Sequence, residues 1–490
     1  MKVSDLIRSI NARLVGDDID VSGLSYDSRA VKPGQLFFAI PGYKLDGHRF
    51  ITDAVRNGAV AVVVEQLQHE VPITQIVVEN TRYAMGCMSA TFYNYPARQL
   101  KMIGITGTNG KTTTTYLTKS ILEAAGYKVG LLGTIQNLIG GQILPAKRTT
   151  PESLDLQQLL RVMADHRVDY VVMEVSSHAL DLHRTVGTEF DVAIFTNLTQ
   201  DHLDFHENID QYFAAKAKLF SHLAKNSTKE PKVAVINLDD SFGLKMAAQS
   251  SAAFYGYGME QEAQVTAVNI QVDDTGVRYQ LRTPFGDIAM ALHLSGQFNV
   301  YNSMAAATAC VTQGVSLSHI QQGLARITGV PGRFELVKGG QDFVVIVDYA
   351  HTPDSLENVL STARSLAKKR VIVIFGAGGD RDRSKRPLMG EAAAKHSDHV
   401  IITSDNPRGE DPDTICREIE VAVKEIIPRE KYMFIPCRRE AIEQGINMAQ
   451  PGDVVVIAGK GHETYQEFKD ETIHFDDKEE ALRAIKELLS

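Results

Sequence analysis

The feature that most restricts this chain is a repeated unit: a short apolar run, a glycine-rich or polar turn, then a stretch with helical spacing. "QLKMIGIT", "DYVVMEVS", "DVAIFTNL" and "KVAVINLDD" repeat it through the middle, and "FVVIVDYA", "RVIVIFGAGG", "HVIITSDNP", "KYMFIP" and "DVVVIAGKG" repeat it near the end. Runs that are apolar at consecutive positions suit strands buried on both faces, as in parallel sheets held between helices. The expected fold class is therefore α/β. The 490 residues leave room for about three domains. Breaks are expected at the proline of "YNYPARQ" and the turn-rich "TGVPGRFE". This gives a small N-terminal α/β domain at 1–97, a central parallel-sheet domain at 98–330 and a doubly wound, Rossmann-like C-terminal domain at 331–490. Ligands of such sheets gather beyond the C-terminal ends of the strands, where the turns lie.

One of those turns has a chemistry of its own. "GITGTNGKTTTT" crowds Gly104, Gly107, Gly110, Lys111 and a row of threonines between a strand and a helix start. Glycines let backbone N–H groups turn inward, a helix N-terminus adds partial positive charge, Lys111 can reach outer phosphates and Thr112 can ligate Mg²⁺. The strict GxxxxGK[ST] spacing would need glycine where Ile105 stands, so the pattern is GxxGxxGKT. The expectation is a P-loop that cradles a nucleotide polyphosphate. Glu174, closing "DYVVME", and His202, in "TNLTQDHLDFH", fall just past predicted strands of the same domain and could meet Mg²⁺ near a γ-phosphate. Taken singly, each is equally compatible with an ordinary hydrogen-bonded residue at a strand end.

Composition excludes other classes. With 60 acidic and 51 basic residues the formal net charge is −9, which opposes nucleic acid as the main partner. Cys87, Cys310, Cys416 and Cys437 show no CxxC spacing, so neither a disulfide framework nor a zinc knuckle is indicated. The charged "MKVSDLIRSINARL" does not resemble an export signal, and the longest aliphatic runs fall far short of the ~18 residues of a spanning helix. A cytoplasmic protein with no membrane partner is expected. His202 and His206 are four apart, but Leu203 follows the first, so HExxH is absent; "EVSSH" lacks the GxSxG elbow. In "GAGGDR" the third glycine of GxGxxG is Arg381, so evidence for a dinucleotide is weak.

In order along the chain, "GITGTNGKTT", "EVSSHAL", "TNLTQDHLDFH", "SGQFNVYN", "PGRFE" and "DYAHTPDSLE" resemble the motifs of the Mur ligase family, the ATP-dependent amide-forming enzymes of peptidoglycan precursor synthesis. "YDSR" near the start and "DNPR" near the end resemble the branch that adds the third residue of the stem peptide. The resemblance implies UDP-N-acetylmuramoyl-L-alanyl-D-glutamate as acceptor, ATP and Mg²⁺, and an acyl phosphate formed on the D-glutamate side chain before an amine attacks. It implies that Gly107, Thr108, Asn109, Gly110, Lys111, Thr112 and Thr113 hold the phosphates and that Asn299, with Asn302 beside it, contacts the nucleotide. Glu174 and His202 would approach Mg²⁺, and Arg333, His351 and Asp348 would line the seam between domains. Lys216 matches the family lysine that CO₂ converts to a carbamate, with Lys218 as the alternative. Tyr26, Ser28, Tyr43, Lys44, Leu45, Thr149, Thr150, Ser176, Leu182 and Arg184 match the UDP-substrate positions, though several could be ordinary helix caps. A monomer is expected.

The amino acid added would be meso-diaminopimelate or L-lysine, which differ by a distal carboxylate. Arg408, after a proline-fixed turn, has the planar fork to take that carboxylate, unless it pairs with Glu410 or Asp411. Asp405, Asn406, Pro407, Arg381, Gly459 and Glu463 match the remaining family contacts, Glu463 suiting the distal ammonium. Diaminopimelate is the expected substrate. The competing readings are the lysine-adding homologue, another ligase on the same scaffold such as folylpolyglutamate synthetase, and a non-catalytic nucleotide switch.

Overall fold

The computed structural model describes residues 1–490 apart from 43, 44, 203, 204, 226, 227 and 274. The first of its three large sheets has five short strands within residues 12–78. Four are parallel, and Ala12–Val15 closes one edge antiparallel to Thr74–Val78.

The second sheet has eleven strands and carries the glycine-rich turn. Its centre is Lys101–Thr106, flanked in parallel by Tyr170–Glu174 on one side and Val192–Phe195 on the other. The chain moves from this strand first to one side and then to the other, so its C-terminal end is a topological switch point, where α/β sheets hold ligands. Both faces are covered. Ile103 and Ile105 pack with Leu117 and Ile121 of the following helix, whereas Met102 packs with Leu156 and Leu160 of the helix Ser153–Asp165. Each of these fully buried side chains contributes roughly 1.5–3 kcal/mol, which fixes the strand that carries the loop.

The sheet is not wholly parallel, as the sequence reading implied. Val265–Asp273, Gly276–Thr283 and Gly286–Leu292 form an antiparallel extension at one edge, and a hairpin at Gln136–Pro145 extends the other. The alternating burial along Gly276–Thr283 explains the first of these: one face packs on helices, with Tyr279 bonded to Ser303 at 2.7 Å, and the other faces solvent.

The third sheet has five parallel strands, Val344–Asp348, Val454–Ala458, Val371–Phe375, His399–Ile402 and Tyr432–Phe434 in spatial order, plus a short antiparallel strand Glu335–Leu336. Its glycine-rich turns lie at the ends of the strands, as the apolar-run pattern implied. Direct bonds join the sheets. Tyr26 donates to Asp155 at 2.6 Å between the first and second; Asn109 donates to Asp354 at 2.6 Å and Arg333 to Thr112 at 3.1 Å between the second and third.

Candidate active site

The strand Lys101–Thr106 runs into the helix Lys111–Ala124 through the turn at Gly107–Gly110. Gly110 has φ +84°, and a Cβ there would sit 2.3 Å from Asn302 Oδ1, so conformation and space both demand glycine. Gly104 is different: it lies inside the strand against Phe190, and its role is packing rather than bending the loop. The threonine row divides its work. Thr112 and Thr113 face a cavity of about 500 Å³, while Thr115 and Thr118 donate back to the carbonyls of Lys111 and Thr114, which satisfies buried hydroxyls within the helix.

Lys111 is folded onto its own loop, donating to the carbonyls of Gly107 (3.0 Å) and Thr108 (2.8 Å). Lys216 donates to that same Gly107 carbonyl at 2.8 Å and is 1% exposed, with its ammonium over the Tyr212 ring. Lys218 instead pairs with Asp181 at the surface. Of the two lysines, the structure brings Lys216 to the loop. Burial and then the neighbouring Lys111 charge push its amine well below the ordinary lysine range, against the pull of Asp201.

Glu174 is 1% exposed and accepts from the Thr112 hydroxyl (3.0 Å), the Thr134 hydroxyl (2.9 Å) and the Thr134 N–H (2.9 Å). Thr134 was not singled out in the sequence; its place just past the strand Val129–Leu132, at the end of the same sheet, is the signal that could have found it. His202 stands beside Asp201 (3.3 Å) and His178; burial lowers its imidazole below the ordinary value, against the Asp201 carboxylate. Thr112, Glu174, His202 and Lys216 line one cavity.

The opposite wall comes from the third sheet. Arg333 stacks over Tyr349 and donates to Thr112, and its Nε is buried with no hydrogen-bond partner among the described residues. His351 bonds the Tyr349 carbonyl at 2.7 Å, and burial, then Lys385, lower its imidazole to about 4. Burial lifts the Asp348 carboxyl to about 6, against Arg333. The asparagines differ from the expectation: Asn302 lines the cavity, while Asn299 lies behind it, donating to the Ser295 carbonyl and accepting from Asn302. The unpartnered guanidinium nitrogen and the retracted Lys111 suit an anion, and the oxygens of Thr112 and Glu174 suit a hard divalent cation.

Of the positions expected for a UDP substrate, Tyr26 bonds Asp155 across the seam between the first two sheets, and several others already hold structural bonds. Ser176 caps the helix Ser177–Asp181, an ordinary structural role; Thr150 donates to the Glu174 carbonyl; the Thr149 and Thr134 hydroxyl oxygens lie 3.1 Å apart. Arg184 pairs with Glu152 at 3.0 Å, and Arg82 and Arg148 converge on the same carboxylate, a hub the sequence did not reveal. Ser28 is buried, Leu182 ends the helix Ser177–Asp181, and Leu45 is 59% exposed. Tyr43 and Lys44 lie outside the described residues.

At the far side of the third sheet, Arg408 sits at φ +51° and donates to Glu467 (3.0 Å) and the Gly379 carbonyl (2.9 Å). Neither Glu410 nor Asp411 is its partner, because Arg386 takes Glu410 and Asp411 caps a helix. Arg381 approaches the same glycine turn as Arg408. Asp405 accepts from the Asn406 N–H at 2.6 Å, Asn406 donates to Glu463 at 2.8 Å, and Pro407 lies in the turn between them and Arg408.

The chain matches three family models: Mur ligase family, catalytic domain, at residues 20–93; Mur ligase middle domain at 105–310; and Mur ligase, glutamate ligase domain, at 332–461. It is similar to the UDP-N-acetylmuramoyl-L-alanyl-D-glutamate–2,6-diaminopimelate ligase of Geobacillus thermodenitrificans, 48% identical over 96% of each chain. A solved structure of a ligase of that name is 33% identical over 100% of this chain and 99% of the other, with TM-score 0.69. MurF of Thermotoga maritima in complex with ADP, 17% identical over 96% and 98%, shares the fold at TM-score 0.62.

Proposed function

The chain belongs to the Mur ligase family, and on that premise we propose that it joins 2,6-diaminopimelate to the D-glutamate side chain of UDP-N-acetylmuramoyl-L-alanyl-D-glutamate with consumption of ATP, in peptidoglycan precursor synthesis. The observation that carries this reading is one cavity lined by Lys111, Thr112, Glu174, His202 and Lys216 from the second sheet and by Arg333, Asp348 and His351 from the third. The domain limits at 97 and 330 belong to the same reading.

A carboxylate resists attack by an amine, so it must first gain a leaving group. The γ-phosphoryl of ATP passes to a carboxylate oxygen and ADP departs. The amine nitrogen then bonds to the carbonyl carbon, the carbon–oxygen bond to phosphate breaks and the nitrogen loses a proton. Lys111, released from its loop carbonyls, and Arg333 face the charge that develops on the transferring group. His351, held neutral, can accept a hydrogen bond or a proton. Thr112, Glu174 and His202 are the residues that would hold Mg²⁺, which when bound neutralises phosphate charge. Burial and the Lys111 charge favour the neutral amine of Lys216, the form that adds CO₂; a carbamate there would place an anion where two lysine nitrogens now share one carbonyl. Asn302 and Asn299 serve the nucleotide as a contact and its support. Ser28, Thr149, Thr150, Ser176 and Arg184 serve the acceptor, and Arg408, Asp405, Asn406 and Glu463 serve the diamino acid.

No helix among the described residues is long and apolar enough to cross a membrane; a cytoplasmic site of action, on nucleotide-linked precursors, is part of the proposed reading. The test is ADP release from purified protein with the dipeptide nucleotide and a panel of amines. Release that requires both acceptor and meso-diaminopimelate supports the reading. Efficient use of L-lysine would assign the lysine-adding branch, and tight ATP binding without turnover on any pair would leave a nucleotide switch.

A further inference from the structure

The amino-acid end of the site contains a lysine that none of the expected contacts uses. Lys460 is 0% exposed and donates to Asn406 Oδ1 at 2.9 Å and to Glu463 Oε2 at 3.2 Å. Asn406 Nδ2 donates to that same Oε2 at 2.8 Å. Two donors therefore fix one oxygen of Glu463, and the other, Oε1, has among the described residues only a long 3.5 Å contact from the Tyr349 hydroxyl. Asn406 Oδ1 also accepts the Glu467 N–H, which ties this cluster to the residue that pairs with Arg408.

Around Lys460 the charges do not cancel. Arg438 and Asp477 form a pair with both side chains 0% exposed. Asp405 lies beside them, so close to Gly459 that a Cβ there would come 2.5 Å from Asp405 Oδ2. The carboxylates Asp405, Glu463 and Asp477 face the cations Lys460 and Arg438: three against two, one negative charge in excess. A buried excess charge is costly unless a partner neutralises it. The free Glu463 Oε1 is where that partner can bind.

Resting on the proposed function, we infer that Lys460 is a positioning residue for the incoming diamino acid: it locks Glu463 through Oε2, aims Oε1 into the pocket and leaves a single negative charge for the substrate ammonium. Without Lys460 the pocket would carry two uncompensated carboxylates. Burial and Asp405 already raise the Glu463 carboxyl, and Lys460 opposes them; Tyr349, Tyr465, Arg438 and Asn406 are the other polar groups around it. Loss of Lys460 would let Glu463 take up a proton as pH falls, and a neutral Glu463 holds an ammonium poorly.

The test compares wild type, Lys460→Met, Lys460→Gln and Lys460→Arg by steady-state ADP release, varying meso-diaminopimelate at pH 6.5 and 8.5. For the Met and Gln variants the KM for diaminopimelate should rise by about tenfold or more at pH 8.5 and further at pH 6.5, with the KM for ATP unchanged. Lys460→Arg should recover most of the effect. A diaminopimelate KM that does not move, a loss confined to kcat, or an arginine variant no better than methionine would overturn the inference. A wild-type enzyme that never uses diaminopimelate would instead overturn the functional reading beneath it.

Discussion

Replacing Lys216 by methionine tests the part of the site with the least ordinary electrostatics. The Lys216 and Lys111 nitrogens lie 2.8 and 3.0 Å from one carbonyl oxygen, so they are at most 5.8 Å apart, the sum of the two. At an effective dielectric constant of about 20, two positive charges at that distance repel by about 3 kcal/mol. A carbamate on Lys216 would reverse the sign at a similar magnitude and hold Lys111 in place for the phosphates. Methionine keeps the bulk of the side chain and removes either charge. Losing an attraction of about 3 kcal/mol from the transition state corresponds to a fall in kcat of about a hundredfold. The assay is coupled ADP release with all three substrates. The KM for ATP should change little, and a small carboxylate such as formate at high concentration should restore part of kcat in Lys216→Met but not in Lys216→Arg. Wild type should lose activity in CO₂-depleted buffer and regain it with bicarbonate. A methionine variant with near-normal kcat, or a wild type indifferent to CO₂, would show that no carbamate at Lys216 supports the reaction.

Arg408→Ala should raise the KM for meso-diaminopimelate by roughly ten- to a hundredfold, the worth of a charge-assisted contact, while any slow reaction with L-lysine stays unchanged; steady-state kinetics with both amines decides it. Asp477→Ala removes both carboxylate bonds of the buried Arg438 guanidinium, and should cost about 3–5 kcal/mol in chemical denaturation. His351, lowered to about 4 from an ordinary 6.5, takes a proton more readily in the unfolded chain, so it withdraws stability as pH falls from 6.5 towards 4. Asp348, raised to about 6, contributes the opposite slope over the lower part of that range. His351→Asn should therefore lose less stability than wild type between pH 6.5 and 4, measured by denaturant midpoints.

What the sequence disclosed was local. The strand Lys101–Thr106, the glycine turn and the helix Lys111–Ala124 follow from apolar runs, glycines and a helix start within a few residues of one another. Glu174 and His202 were legible as cavity-lining residues because both lie at or past strand ends, where such sheets open their clefts. Lys216 could not be told from Lys218 by helical spacing alone; the difference is that one reaches the Gly107 carbonyl and the other Asp181. Arg408 was placed correctly in a turn, but its acid is Glu467, brought near by the short hairpin Tyr465–His474 rather than by the adjacent Glu410 or Asp411. Asn302 and Asn299 are one helical turn apart, and only packing decides which of them faces the cavity. The bond from Asn109 to Asp354, the three arginines around Glu152 and the lock of Lys460 on Glu463 join segments whose meeting depends on the whole fold. The antiparallel edge at 265–292 was overlooked for another reason: its alternating pattern is that of a half-exposed strand, unlike the continuous runs that marked the others.

The proposed reaction hands a terminal phosphoryl group to a carboxyl oxygen of the acceptor. Turnover with acceptor carrying ¹⁸O in its D-glutamate side-chain carboxylate, followed by mass analysis of the released phosphate, tests it directly. One labelled oxygen is expected in each phosphate formed. Phosphate without label, alongside normal formation of the amide, would contradict it.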